Sequence, residues 1–175
     1  MANLFEGTYS PAGLRFGIAV SRFNEFITKP MLEGALNELR RAGVPETLIH
    51  VVWVPGAYEL PQAAQRMLET QKLDALIVIG CIIRGETTHY EHIAQSVSDT
   101  IQKIAVEGRV PIGFGVLTVE NLEQAMNRAG SKQGNKGRDA ARSALEMARL
   151  FQALANNQEK GKTLEEYIER EVNQP

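Results

Sequence analysis

Residues Asp74 to Ile83 read Asp-Ala-Leu-Ile-Val-Ile-Gly-Cys-Ile-Ile, which is an almost continuous apolar run. A short run without polar alternation is typical of a β-strand that is buried on both faces of a parallel sheet. Gly80 interrupts the run, which is also far too short to cross a bilayer. The stretch therefore predicts a central strand with helices packed on both of its faces.

On either side of this run the chain alternates between strand and helix patterns. The predicted strands are Arg15–Val20, Leu48–Val54, Asp74–Ile83 and Pro111–Leu117. The predicted helices are Glu25–Ala42, Tyr58–Gln71, His89–Glu107, Asn121–Ala129 and a long last helix that carries Ala140 to Leu154. Pro30 requires either an irregular first turn in the first helix or a helix that begins near it. This order predicts one α/β domain, a flavodoxin-like three-layer α/β/α sandwich with a four-stranded parallel sheet.

Length and composition narrow the organisation of the chain. A chain of 175 residues corresponds to about one domain. We expect this domain to span residues 1–154 and a polar, charged tail to span 155–175, with a short charged helix at Thr163–Val172.

Charge and cysteine content indicate the environment and the partners. The formal net charge of -2 gives no electrostatic reason to expect nucleic acid or an anionic membrane as a partner. The N-terminus lacks the basic start and apolar run of a signal peptide. The single cysteine, Cys81, cannot form an internal disulfide, which fits a reducing compartment. We therefore expect a cytoplasmic protein.

The carboxyl ends of the predicted strands carry the residues suited to chemistry. In open parallel sheets, ligands bind outside these ends. The segments that follow the strands combine an aromatic ring, a carboxylate, a histidine and small residues that allow a ligand to approach the backbone. They are Ser21–Asn24, Pro55–Glu59, Arg84–His89 and Leu117–Thr118.

The segment after the third strand has the pattern of an anion site. Thr88 and Glu91 have the spacing of a capping box, so a helix should begin there, with free N–H groups at its N-terminus. Gly85 would let a phosphate approach the backbone, whereas the Glu86 carboxylate would repel it, so we expect only the Glu86 backbone to face an anion. Taken alone, this segment is better explained as a plain strand-to-helix turn.

Single residues in these segments allow two interpretations. His89 is suited to proton transfer near neutral pH, but a surface or capping histidine fits equally well. No cysteine or carboxylate pattern completes a metal site around His89 and His92, so we expect no metal. Phe23 could stack on a flat heterocycle or close the core at a strand exit. Tyr58 and Glu59 could simply start a helix.

The glycine-rich loop Gly130–Gly137 resembles a phosphate cradle, but it is not a P-loop. Gly137 stands where that motif requires serine or threonine, and no strand immediately precedes the loop. Arg128, Lys132 and Lys136 form a local cationic group, for which a solvated loop is the alternative explanation. The first strand lacks the dinucleotide fingerprint, which argues against a nicotinamide cofactor.

Five motifs, taken together and in order, resemble those of the lumazine synthase family. The resemblance runs from about Phe5 to Leu154. The motifs are Ser21–Asn24, Val54–Pro61, Gly80–Tyr90, Gly113–Thr118 and Arg128–Gly137.

The resemblance implies a transferase that needs no cofactor. The implied reaction joins 5-amino-6-(D-ribitylamino)uracil to 3,4-dihydroxy-2-butanone 4-phosphate. It yields 6,7-dimethyl-8-ribityllumazine, phosphate and water, at the penultimate step of riboflavin biosynthesis.

The resemblance also implies a role for each matching residue. His89 would transfer protons, and Phe23 would stack on the pyrimidine. Glu86, Thr87 and Arg128 would bind the phosphate, and Arg128 and Phe114 would come from a neighbouring subunit. The other residues implied at the pyrimidine and its ribityl chain are Ala57, Tyr58, Glu59, Cys81, Ile82 and Ile83, and two additional candidates are Asn24 and Lys136.

The resemblance further implies a homopentamer. The uninterrupted loop from Gly130 to Gly137 resembles that of members in which twelve pentamers form an icosahedral shell of 60 subunits, with riboflavin synthase as a candidate enclosed partner. Cys81 stands where relatives often carry threonine. If only the Cys81 backbone contacts the substrate, this difference changes little, whereas a contact through the threonine hydroxyl would be lost.

Other functions remain open. They are a flavin-binding electron carrier, the same-fold riboflavin synthases of some archaea, and a shell protein without catalysis. The presence of both His89 and Arg128 argues against the last.

Overall fold

The structure, a computed structural model, describes residues 3–11, 13–132, 134–156 and 162–163. Most of the expected C-terminal tail, including nearly all of the charged helix predicted at Thr163–Val172, lies outside these residues. Within the described part of the chain, no helix is long and apolar enough to span a membrane.

A four-stranded, fully parallel sheet forms the centre of the fold. The chain begins with a two-residue strand, β1 (Asn3–Leu4), which is not part of this sheet. The four strands of the sheet are β2 (Phe16–Ser21), β3 (Ile49–Val54), β4 (Ala75–Ile83) and β5 (Ile112–Val119). Their order across the sheet is β3-β2-β4-β5. The sequence did not indicate β1, which pairs antiparallel with the equally short β6 (Lys162–Thr163).

Among the described residues, five α-helices cover the sheet. They are α1 (Glu25–Ala42), α2 (Leu60–Thr70), α3 (His89–Glu107), α4 (Leu122–Arg128) and α5 (Lys136–Asn156). α1 and α5 pack on one face, and α2 and α3 lie on the other. The predicted fold, a three-layer α/β/α sandwich around a four-stranded parallel sheet, is confirmed.

The central strand β4 is buried on both faces, as its apolar sequence predicts. In β4, Ile77 and Ile79 pack into the cluster beneath α1 and α5, whereas Leu76 and Val78 pack into the cluster beneath α2 and α3. All four side chains are fully buried. Because successive strand residues point to opposite faces, a strand with two covered faces has to be apolar at every position.

α1 spans Glu25–Ala42, as predicted, with Pro30 inside the helix. Several other predicted boundaries shift in the structure. A turn of 3₁₀ helix at Ala57–Glu59 precedes α2, so the α-helix starts after Tyr58. β5 continues to Val119, which places Thr118 inside the strand rather than after it. α5 starts at Lys136, so the predicted loop is shorter than its glycines suggest.

The capping box predicted at α3 is wrong. Thr88 is the N-cap residue, but its side chain makes no capping hydrogen bond. Its backbone, at φ -73° and ψ 2°, is outside the extended region from which a capping side chain normally folds back onto the helix. Only the backbone N–H of Glu91 reaches Thr88, donating to its carbonyl oxygen at 3.0 Å.

Candidate active site

A pocket lies where the strand order changes direction. β2 and β4 are neighbours, but the chain leaves them toward opposite edges of the sheet, which opens a crevice at their carboxyl ends. The crevice holds a pocket of about 360 Å³ with a mainly apolar wall. The wall includes the predicted residues Phe23, Ala57, Tyr58, Cys81, Ile82, Ile83, Thr87 and His89, together with Gly56, Gly85, Tyr90 and Ile93.

The loop after β2 presents an aromatic ring to this pocket. Phe23 is 69% exposed, so it is not the core residue that the alternative interpretation required. Its backbone is fixed to the neighbouring strand, because the Phe23 N–H donates to the Pro55 carbonyl oxygen at 2.9 Å. The Arg22 N–H makes the same kind of bond to Val54 at 2.8 Å. A flat ligand could therefore stack on the Phe23 ring.

The turn after β3 forms the second wall. Ala57 is buried, while Tyr58 is 56% exposed at the pocket. Glu59 is not part of the wall. Its carboxylate accepts a hydrogen bond from the Gly56 N–H at 2.9 Å and so holds the turn that carries Tyr58.

The end of β4 forms the floor. Cys81 and Ile82 are buried, and the Asn24 amide donates to the Cys81 carbonyl oxygen at 2.9 Å, which links the ends of β2 and β4. Burial raises the pKa of the Cys81 thiol to about 12.

This shift predicts an unreactive thiol, because the thiolate is the nucleophilic form and is scarce at any pH far below the pKa. We expect iodoacetamide at pH 8 to label the native protein far more slowly than the urea-unfolded chain, as followed by mass spectrometry. Equal labelling rates in the two states would show that Cys81 is accessible and ionised in the native protein.

The N-terminus of α3 closes the pocket. His89 is the first residue of the helix, is exposed, and lines the pocket. Thr87 Oγ1 accepts a hydrogen bond from the His89 N–H at 3.5 Å. A Cβ atom built on Gly85 would meet nothing within 4 Å, so the backbone there is open to a ligand. Glu86 is exposed and is not among the wall residues.

Sequence reasoning missed an ionic contact beside this helix. The Arg84 guanidinium pairs with the Glu120 carboxylate at 2.9 Å and lies 5.6 Å from the centre of the Tyr90 ring. The contact joins the ends of β4 and β5 to the first turn of α3. No sequence signal could have revealed it, because Arg84 and Glu120 are distant in the chain and meet only when the strands pair.

Three predicted residues lie away from the pocket in a single chain. Phe114 points out of β5 and is 46% exposed. Arg128 is the last residue of α4 and is exposed. Lys136 begins α5, where its ammonium group pairs with the Asp139 carboxylate at 3.0 Å.

The described residues include no group of three or more His, Cys, Asp or Glu side chains placed to hold a metal ion. The wall residues suit a flat, partly apolar ligand. An anionic group on that ligand would be attracted by the N-terminal end of the α3 helix dipole.

Fold and site together define an α/β sandwich protein that has its ligand pocket at the switch point of a parallel sheet. The chain belongs to the 6,7-dimethyl-8-ribityllumazine synthase family, whose model matches residues 13–152. The family is one of transferase enzymes. Among solved structures, the chain resembles a de novo designed Rossmann fold protein with 16% identity and a TM-score of 0.36, over 65% of this chain and 92% of that one.

Proposed function

We propose that this protein condenses 5-amino-6-(D-ribitylamino)uracil with 3,4-dihydroxy-2-butanone 4-phosphate. The products are 6,7-dimethyl-8-ribityllumazine, phosphate and water, and the reaction is the penultimate step of riboflavin biosynthesis. The observation that carries the proposal is the meeting of Phe23, Tyr58 and His89 around one pocket in a chain of this family.

The pocket wall suits the pyrimidine substrate. The exposed Phe23 ring offers a stacking surface for the heterocycle. The floor formed by Cys81, Ile82 and Ile83 would meet the edge of that ring, and the turn at Ala57–Glu59 would lie along the ribityl chain. Cys81 and Ile82 are themselves buried, which favours contact through backbone groups and limits the effect of a cysteine in place of threonine.

The phosphate of the second substrate would bind at the start of α3. The positive end of the α3 helix dipole attracts anions, and the open backbone at Gly85 allows close approach. Thr87 adds a hydroxyl group on the pocket wall. Glu86 would contribute its backbone only.

Proton transfer is the chemical task of the site. The amine of the pyrimidine adds to the ketone, water is lost as an imine forms, phosphate leaves, and the ring closes with loss of a second water. His89 lies on the pocket wall, where it can exchange protons with these groups. Holding both substrates in one pocket supplies a further part of the rate.

We infer that the site is completed by a neighbouring subunit. The face of β5 that carries Phe114 and Thr118 is exposed, whereas Gly113 and Leu117 on its other face are buried. In a homopentamer, this open face would place Phe114 at the neighbour's pocket, and Arg128 would reach that neighbour's phosphate. Lys136 is a further candidate for contact with the substrates in the neighbour's pocket. Asn24 is a candidate for such a contact in the pocket of its own subunit.

We also propose that the pentamers assemble further. Twelve pentamers would form an icosahedral shell of 60 subunits in the cytoplasm, with riboflavin synthase as a candidate enclosed partner. Analytical ultracentrifugation of the purified chain would separate a free pentamer from the shell.

The direct test is product formation from the two substrates, followed by the absorbance and fluorescence of the lumazine. We expect His89→Ala to lower kcat by about 100-fold, which is typical of a lost general acid-base group. His92→Ala is the matched control, because His92 is on the same helix but is not on the pocket wall. If a folded, oligomeric wild-type protein gave no product above the uncatalysed rate, the proposal would fail.

A further inference from the structure

Asn24 has an unusual backbone conformation beside the pocket. Its φ of 60° and ψ of 41° make it the one non-glycine residue with positive φ among those the structure describes. This left-handed conformation is unfavourable for a residue with a side chain, although asparagine adopts it more readily than most residues. Such a conformation persists only where the surrounding structure holds it in place.

The Asn24 side chain does not do what asparagine usually does at this position. It is the N-cap residue of α1, where an asparagine oxygen normally accepts a hydrogen bond from the first turn of the helix. Here there is no such bond, and the amide instead donates to the Cys81 carbonyl oxygen at 2.9 Å. The carbonyl oxygen of Asn24 accepts hydrogen bonds from the Ile27 and Thr28 N–H groups, at 2.8 and 3.1 Å. Because the backbone of Asn24 caps the helix, its side chain can reach across the crevice from the end of β2 to the end of β4.

The neighbouring ring depends on this backbone for its direction. Phe23 is 69% exposed, so core packing does not fix its ring. Its N–H is bound to Pro55, and its carbonyl oxygen accepts a hydrogen bond from Ser21 Oγ at 3.4 Å. Asn24, the next residue, determines how the chain turns away from the pocket. The contacts that direct the ring are therefore backbone contacts.

We propose that Asn24 is a positioning residue, which holds the Phe23 ring against the pocket through its left-handed backbone and its hydrogen bond to Cys81. Asn24 is not itself part of the pocket wall. Its amide fixes the end of β2 to the end of β4, and so sets the separation between the stacking ring and the pocket floor. This inference rests on the proposed function for the identity of the ligand, and it assigns Asn24 an indirect role.

The test separates the hydrogen bond from the backbone conformation. Asn24→Gly keeps the left-handed conformation without strain but removes the bond, whereas Asn24→Asp keeps the shape but cannot donate to a carbonyl. Asn24→Ala loses both features and is the variant most prone to misfold. Asn37→Asp, on an exposed part of α1, is the control for the added charge.

Two measurements are made on each full-length variant. The first is hydrogen exchange of the peptide containing Phe23 in the ligand-free protein, by mass spectrometry. The second is the steady-state rate with both substrates. For Asn24→Gly and Asn24→Asp we expect faster exchange at Phe23. We also expect KM for the pyrimidine to rise about tenfold, as for one lost hydrogen bond, with kcat and KM for the sugar phosphate changed less than about twofold.

Other outcomes would overturn the inference. If the variants exchanged at Phe23 as slowly as the wild-type protein but had a raised KM for the pyrimidine, Asn24 would contact the substrate directly. A rise in both KM values together with a lower melting temperature would indicate a general structural role. If the wild-type protein failed to turn over these substrates, the proposed function would fail. The exchange at Phe23 would still show whether Asn24 holds the Phe23 backbone in place.

Discussion

Replacement of Arg128 by alanine is expected to lower kcat/KM for the sugar phosphate by about 100-fold, because a charge-assisted hydrogen bond to phosphate contributes about 1.5–3 kcal/mol. The free energy of unfolding should change little, since Arg128 is an exposed residue at the end of α4. Product formation at varied sugar phosphate concentration measures the first quantity, and urea unfolding measures the second. Arg109→Ala is the matched control, because Arg109 is exposed at the opposite end of β5.

The location of Arg128 allows a second test, in which two inactive variants are mixed. In a single chain it is not among the residues of the pocket wall, and the proposed function places it at the phosphate in a neighbouring subunit's pocket. Mixing His89→Ala subunits with Arg128→Ala subunits should then restore part of the activity, since some pockets combine an intact His89 with an intact Arg128. No recovery, once subunit exchange has been demonstrated, would contradict a shared site.

Gly137→Ala is expected to have the largest effect on stability. Gly137 lies in the first turn of α5, and a Cβ atom there would overlap the backbone of Met31 in α1, where even the Met31 Cα would be 2.9 Å away. Backbone atoms of a packed helix cannot move aside as a flexible side chain can. We expect the free energy of unfolding to fall by about 3 kcal/mol, at the upper end of the usual cost of overpacking.

The sign of this effect is informative, because alanine normally stabilises a helix by about 1 kcal/mol relative to glycine. Gly85→Ala is the matched control for stability. A Cβ atom at Gly85 would meet nothing within 4 Å, so urea unfolding should differ from wild type by less than about 0.5 kcal/mol. Equal stability of the Gly137→Ala and wild-type proteins would mean that α1 and α5 do not approach so closely.

The positions of the candidate site residues could be predicted from the sequence only where these residues lie close to a strand end. Phe23, Tyr58 and His89 come within a few residues of β2, β3 and β4, and a parallel sheet brings such residues to one edge. The edge of the sheet on which these residues lie was therefore predictable. The direction of each side chain was not, and Glu59 shows this, because it turns inward to the Gly56 N–H instead of facing the pocket.

The ends of helices were harder to predict than their existence. The glycines at 130–137 suggested a loop throughout, yet α5 begins at Lys136. The reason is tertiary, since Gly137 is used for close contact between helices and not for flexibility. The spacing of Thr88 and Glu91 likewise suggested a capping box that the backbone conformation of Thr88 does not form.

The sequence by itself determined the fold class and the edge of the sheet that carries the pocket. It could do so because the apolar run in β4 and the alternation of strands and helices are local patterns with one packing solution. Only the tertiary structure decided which residues share the pocket, that Asn24 bonds to Cys81, and that Arg128 and Phe114 are not on the pocket wall of their own chain. These depend on strand order and backbone conformation, which arise from contacts between residues far apart in the chain.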